Sequence, residues 1–165
     1  MQVESFPPIA GRGATRLILG SMPGVASLTA NRYYAHPQNA FWRIMAATLG
    51  FAPDGPYRQR VDALIAAKIA LWDVLATCER PGSLDSSIRR ETEVANDIPG
   101  LLHEQPGITQ IFFNGAAAEA AFRRHHPALA QRRDLNFVRL PSTSPAHASL
   151  RLDQKTEVWR SALTE

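Results

Sequence analysis

The chain has 165 residues, 45% hydrophobic and 20% charged, with a formal net charge of +3. That is the size and composition of one globular domain with a substantial core, and no apolar run approaches a membrane span. The single cysteine, Cys78, excludes an intrachain disulfide, an iron–sulfur cluster held by several thiolates and zinc held by a cysteine set. The N-terminus lacks a charged region followed by an apolar one, so a cytoplasmic monomer without metal or cofactor is expected. Sixteen of the eighteen basic residues are arginine, the planar, forked cation suited to phosphate and carboxylate. The pairs Arg89-Arg90, Arg123-Arg124 and Arg132-Arg133 can make a positive face for a polyanion or simply solvate helix surfaces.

In chain order, Arg16–Gly20 is a short aliphatic run and predicts a strand. It enters the turn Gly20-Ser21-Met22-Pro23-Gly24. This is neither a dinucleotide fingerprint, nor a P-loop, nor a nucleophile elbow. What it offers is a tight turn whose amides can face a carbonyl or an anion. Next comes Tyr33-Tyr34-Ala35-His36-Pro37-Gln38-Asn39-Ala40-Phe41-Trp42. Tyr34 can stack on the face of a base. Asn39 donates and accepts together, which suits a group that orients water. His36 fits proton transfer or, in a His-Pro pair, a structural elbow. Phe41 and Trp42 read as core residues of a helix over Ala40–Leu49.

A second helix is predicted over Tyr57–Ala67 and a second strand over Ile69–Val74, where Asp73 is a base, a cap or a salt-bridge partner. Ala76–Asp97 is the least periodic segment and is expected to contain a long loop, Glu79–Ser87, which can reach the rim of the first turn. A third strand, Ile108–Asn114, precedes the helix Ala116–Phe122. Asn114 there can read the edge of a base or cap the helix. His125 and His126 read as surface residues, with no ligand partners at metal spacing. The fourth strand, Asn136–Leu140, runs into Pro141-Ser142-Thr143-Ser144-Pro145. Two prolines stiffen this loop, its hydroxyls suit phosphate, and His147 can act as a wedge in a duplex. A last helix, Asp153–Leu163, is expected to bury Val158, Trp159 and Leu163, with Asp153 as a cap. Strands separated by helices predict an α/β fold, a three-layer α/β/α domain over residues 1–165 with a four-stranded parallel sheet. Such sheets bind ligands beyond the carboxyl ends of their strands.

Together these motifs resemble the uracil-DNA glycosylase superfamily, and within it the hypoxanthine-DNA glycosylase (DNA-deoxyinosine glycosylase) branch. Gly20–Gly24 stands where the superfamily's first motif has a Gly-x-Asn/Asp-Pro turn. Tyr33–Trp42 is similar to the F-A-H-P-x-N-x-F-W run of the mismatch-specific uracil glycosylases. Leu140–Pro145 takes the place of the second motif, His/Asn-Pro-Ser. Two departures stand out. Met22 occupies the position of an Asp or Asn that helps the attacking water, and Leu140 that of a catalytic His or Asn. Both favour a purine deamination product over uracil.

The resemblance implies a monofunctional DNA glycosylase acting on damaged DNA, chiefly on hypoxanthine from deoxyinosine. It implies that Asn39 is catalytic and that Gly20, Ser21, Met22, Tyr34 and Asn114 hold the flipped base. Pro141, Ser142, Thr143, Ser144 and His147 would hold DNA, with no metal involved. The alternatives are a uracil or mismatch-specific glycosylase and a catalytically silent nucleic-acid-binding module.

Overall fold

Along Arg16–Gly20, Leu17 and Leu19 enter one hydrophobic cluster and Ile18 the other, and all three are fully buried. A strand covered on both faces belongs inside a parallel sheet between layers of helices, and the computed structural model, which describes residues 2–164, places it there. The chain opens with β1 (Gln2–Glu4), β2 (Arg16–Gly20), α1 (Val25–Ala30), α2 (Phe41–Leu49) and α3 (Tyr57–Ala66). It continues with β3 (Ile69–Asp73), β4 (Leu75–Glu79), β5 (Arg89–Ala95), α4 (Ile98–Glu104) and β6 (Gln110–Asn114). It closes with α5 (Ala116–His125), α6 (Pro127–Ala130), β7 (Asn136–Leu140) and α7 (Leu152–Thr164).

Strands β3-β2-β6-β7 form the four-stranded parallel sheet in that order. On one face, Ile18, Leu71 and Phe112 meet Phe41 and Ile44 of α2, Leu64 of α3 and Trp159 of α7. On the other, Leu17, Leu19 and Phe113 meet Leu101 and Leu102 of α4 and Phe122 of α5. The result is the expected three-layer α/β/α arrangement. All four strands point their carboxyl ends to one rim, and the motifs that follow β2 and β7 emerge there.

The segment read as least periodic holds a second sheet, with β4 pairing antiparallel to both β1 and β5. Two features hid it. β4 follows β3 after one residue, Val74, without a Gly or Pro to separate them, and its register to β5 shifts at Thr77. β5 carries Arg89, Arg90, Glu91 and Glu93, so apolar alternation is missing. The loop between them, residues 80–88, matches the expected Glu79–Ser87 to within one residue at each end, and a 3-10 turn spans Asp85–Ser87. Helices α1, α4 and α6 have six, seven and four residues, too short for a periodic signal.

Two expectations about side chains are corrected. In α7, Lys155, Trp159 and Leu163 share the buried face at four-residue spacing, whereas Val158 is 43% exposed. A helix turns about 100° per residue, so Val158 cannot share a face with Trp159. His125 and His126 are also not free surface groups. The His125 ring meets Glu93 Oε1 at 2.7 Å, and His126 Nε2 is buried without a partner.

Candidate active site

The site grows from the end of β2. After Gly20 the backbone stays attached to the chain beyond β3. Val74 N–H donates to Gly20 O at 2.8 Å and Leu75 N–H to Ser21 O at 3.1 Å. Among the described residues, no hydrogen bond engages the Ser21 or Met22 N–H. The Met22 side chain packs into the core while its residue still borders the cavity. Gly20 is required by crowding. A Cβ there would sit 2.5 Å from Asp73 Oδ1 and 3.0 Å from the Tyr34 hydroxyl.

Tyr34 adopts φ 54°, a left-handed conformation that costs a non-glycine residue about 1–3 kcal/mol. Its surroundings hold it there. The ring stacks on Phe41 with centroids 4.2 Å apart, and its hydroxyl accepts from Asn114 Nδ2 at 3.1 Å. Burial, reinforced by Asp73, pushes the Tyr34 phenol well above its ordinary range, so it stays protonated. The ring borders the cavity, as a stacking surface must.

Asn39 closes an Asx turn at the start of α2. Its Oδ1 accepts from Phe41 N–H at 2.9 Å, which fixes the plane of the carboxamide. Its Nδ2 has no partner among the described residues, and the residue borders the same cavity. The next residue joins this motif to the loop after β7, because Ala40 N–H donates to Thr143 O at 2.9 Å. His36 serves the structural role. Its Nδ1 accepts from Gln38 N–H at 3.0 Å and its carbonyl from Asn39 N–H at 2.9 Å.

Asn114, at the end of β6, does not cap α5. Its Nδ2 donates to Tyr34 Oη and to Thr143 Oγ1 at 3.0 Å, while its Oδ1 accepts from Thr143 N–H at 2.9 Å. It borders the cavity, yet it spends both ends of its amide tying three motifs together. Thr143 is the matching correction. It is 1% exposed and turned inward, so its hydroxyl serves the scaffold and does not face a phosphate. Ser142 and Ser144 remain partly exposed, with each hydroxyl oxygen accepting a backbone N–H at 3.2 Å and its own proton still to donate.

Pro141 and His147 lie off the cavity and act through α7. Pro141 O accepts from Trp159 Nε1 at 2.8 Å, and His147 O accepts from Lys155 Nζ at 2.6 Å. Gly115, at φ 95°, lets this loop press close, since a Cβ there would lie 3.0 Å from Ser142 Cβ.

Three further groups come from the β3 end and the β4–β5 loop, which does reach this rim. Ser21 Oγ donates to Asp85 Oδ1 at 2.5 Å. Arg80 is buried and donates from Nε to Gly82 O and from a terminal nitrogen to Pro23 O, each at 2.7 Å. Asp73 is 3% exposed, and its Oδ2 is buried without a hydrogen-bond partner. Burial, then the charge of Asp85, push its carboxyl from 3.8 up to about 7, against the pull of Arg80. The sequence named Asp73 only as one of several options. Its chemistry depends on neighbours far along the chain.

Gly20, Ser21, Tyr34, Asn39, Asp73 and Asn114 border a cavity of about 270 Å³ beyond the carboxyl ends of the parallel strands. That is just below the roughly 300–1,000 Å³ of drug-sized ligand sites and suits one aromatic heterocycle. Among the described residues, no group of three or more His, Cys, Asp or Glu is placed to hold a metal ion, and no helix is long and apolar enough to cross a membrane.

The family model of the uracil DNA glycosylase superfamily matches residues 8–163. The chain belongs to this superfamily. It is therefore a DNA glycosylase, a hydrolase of N-glycosidic bonds whose substrate is damaged DNA. Two relatives carry the name hypoxanthine DNA glycosylase, one from Methanosarcina barkeri (strain Fusaro) and one from Methanosarcina acetivorans. Each is 36% identical over 116 residues, which is 70% of this chain and 72% of the relative. The solution NMR structure of a candidate uracil DNA glycosylase from Methanosarcina acetivorans superposes with a TM-score of 0.79 at 31% identity, covering 100% of both chains.

Proposed function

We propose that residues 1–165 act as one glycosylase domain that removes a deaminated base, chiefly hypoxanthine from deoxyinosine, by water attack assisted by Asn39. The carrying observation is that Asn39, Tyr34 and the turn after β2 border one base-sized cavity. The names of the two Methanosarcina relatives support hypoxanthine as the base. The target nucleotide leaves the stack at a cost of a few kcal/mol, lowest for a mispaired base. Tyr34, backed by Phe41, stacks on the flipped base, and the Ser21 and Met22 amides meet its edge. Asn39 uses its free Nδ2 and the second lone pair of Oδ1 to hold water beside the anomeric carbon and to stabilise the oxocarbenium-like sugar.

Outside the cavity, Ser142 and Ser144 donate to phosphates, with Pro141 and His147 shaping the loop that fills the vacated helix. Arg43, one turn beyond Asn39 and bonded to Gln38 O, adds positive charge at the rim. Lys155 supports the loop through carbonyls and is not on the cavity wall, so strand nicking through a Schiff base is not expected.

The test is single-turnover excision, without added metal, on duplexes carrying inosine, uracil, xanthine or ethenocytosine. Inosine should be the preferred substrate. Asn39→Ala should lose about 10²–10³ in rate, as when one preorganised polar group is removed. Preference for uracil would replace the substrate assignment, and near-parental cleavage by Asn39→Ala would remove that residue from the chemistry.

A further inference from the structure

One polar group on the cavity wall has no structural task. The backbone of Asp73 is occupied, with β3 pairing to β2 and its carbonyl accepting from Asn96 Nδ2 at 2.8 Å. The side chain is different. Its Oδ2 is buried and unpartnered, and the residue borders the cavity, where the missing Cβ of Gly20 leaves room for Oδ1. Native folds seldom leave a buried carboxyl oxygen unpaired unless something else meets it.

Burial first, and then the charge around it, favour the protonated acid. Asp85 faces Asp73 from the β4–β5 loop, and the Tyr33 and Tyr34 hydroxyls approach from the loop after α1. Arg80 opposes this with its positive charge, yet it makes no ion pair with Asp73 among the described residues. The other wall positions offer little help to a departing base. Met22 is apolar, Asn114 is bonded to Thr143, Ser21 is bonded to Asp85, and His36 spends its Nδ1 on Gln38 N–H.

We propose that Asp73 is the general acid of the reaction, donating its carboxyl proton to a ring nitrogen or carbonyl of the departing base. This rests on the glycosylase reading above. In the step, the bond between the anomeric carbon and the base breaks and its electron pair moves onto the base. The Asp73 proton neutralises that charge. Water forms the new carbon–oxygen bond, and the proton it releases restores the acid. Nothing is oxidised or reduced, and the products are the neutral base and an abasic sugar. The acid serves any base that fits the slot, so it bears on rate and leaves base preference to the shape of the wall.

The experiment is single-turnover excision from an inosine duplex between about pH 5 and 9, comparing the parent with Asp73→Asn and Asn39→Ala. A lost general acid costs about 10²–10⁴ in rate, so Asp73→Asn should fall by that range at about pH 6. The parent should lose rate as pH rises past the ionisation of Asp73, whereas Asp73→Asn should be flat there. Asn39→Ala should be slow but keep the parental profile. Asp73→Asn is nearly isosteric with the protonated acid, so it retains the fold.

An active parent whose profile is unchanged in Asp73→Asn would overturn the acid and leave the glycosylase reading standing. A parent that cleaves none of the four duplexes would overturn that reading, and the acid with it.

Discussion

Replacing Asp73 by asparagine should leave a signature in stability that is independent of catalysis. The carboxyl rises from 3.8 to about 7 on folding, chiefly through burial and next through the charge of Asp85. Each pKa unit corresponds to about 1.4 kcal/mol, so an ionised Asp73 costs the fold about 4 kcal/mol. The unfolded chain releases this proton near pH 4, while the folded protein keeps it to about pH 7. In that window the native state binds more protons, so the Asp73 contribution falls as pH rises and levels off above about pH 8.

Asparagine does not titrate, and the stability difference between variant and parent isolates this one group. It should move in favour of the variant by about 2–3 kcal/mol between pH 5 and pH 8. At about 2–4 °C per kcal/mol for a chain of this length, the gap in Tm widens by about 5–10 °C. Urea unfolding and thermal melts at pH 5, 6, 7 and 8 would measure it. A gap that stays constant, or that widens toward acid, would refute a buried carboxyl that ionises late. A variant more stable at pH 8 yet slower in excision matches the usual trade between a functional site and the fold that bears it.

Three other outcomes follow from the cavity wall. Tyr34→Ala should weaken binding of inosine duplex by about tenfold to a hundredfold in an anisotropy titration, since stacking on an aromatic ring contributes about 1–3 kcal/mol per base. Tyr34→Phe keeps the ring and should bind nearly as the parent does. Gly20→Ala places a methyl 2.5 Å from Asp73 Oδ1 and should cost about 10²-fold in single-turnover rate through displaced groups. Parental rates would show that the wall yields freely. Arg43→Ala should weaken binding across sequences alike and reduce the salt slope of log K by about one, whereas an unchanged slope would place Arg43 off the DNA path.

Three of the four parallel strands were visible in the sequence because each is a continuous run buried on both faces, as Leu17–Leu19 and Ile111–Phe113 are, while the largely exposed edge strand β7 showed through its short β-rich run before a proline. The stretch Tyr33–Trp42 was equally readable, since its aromatic, His-Pro and Asn residues lie within one turn and a helix start. The small antiparallel sheet was not. β5 is half exposed and charged, so its pairing with β4 left no apolar trace. Residue identity also misled locally. Thr143 looks like its serine neighbours but points inward to Asn114, and Val158 sits beside Trp159 in sequence yet faces away.

Strand positions and motif content were thus local properties of the chain, written in runs of five to ten residues. The state of Asp73 was decided only by tertiary structure. Gly20 leaves it room, Asp85 repels its charge, and Arg80 spends donors on Pro23 and Gly82. A carboxyl ionises according to the solvent and charges around it, and those neighbours come from segments that meet only after folding.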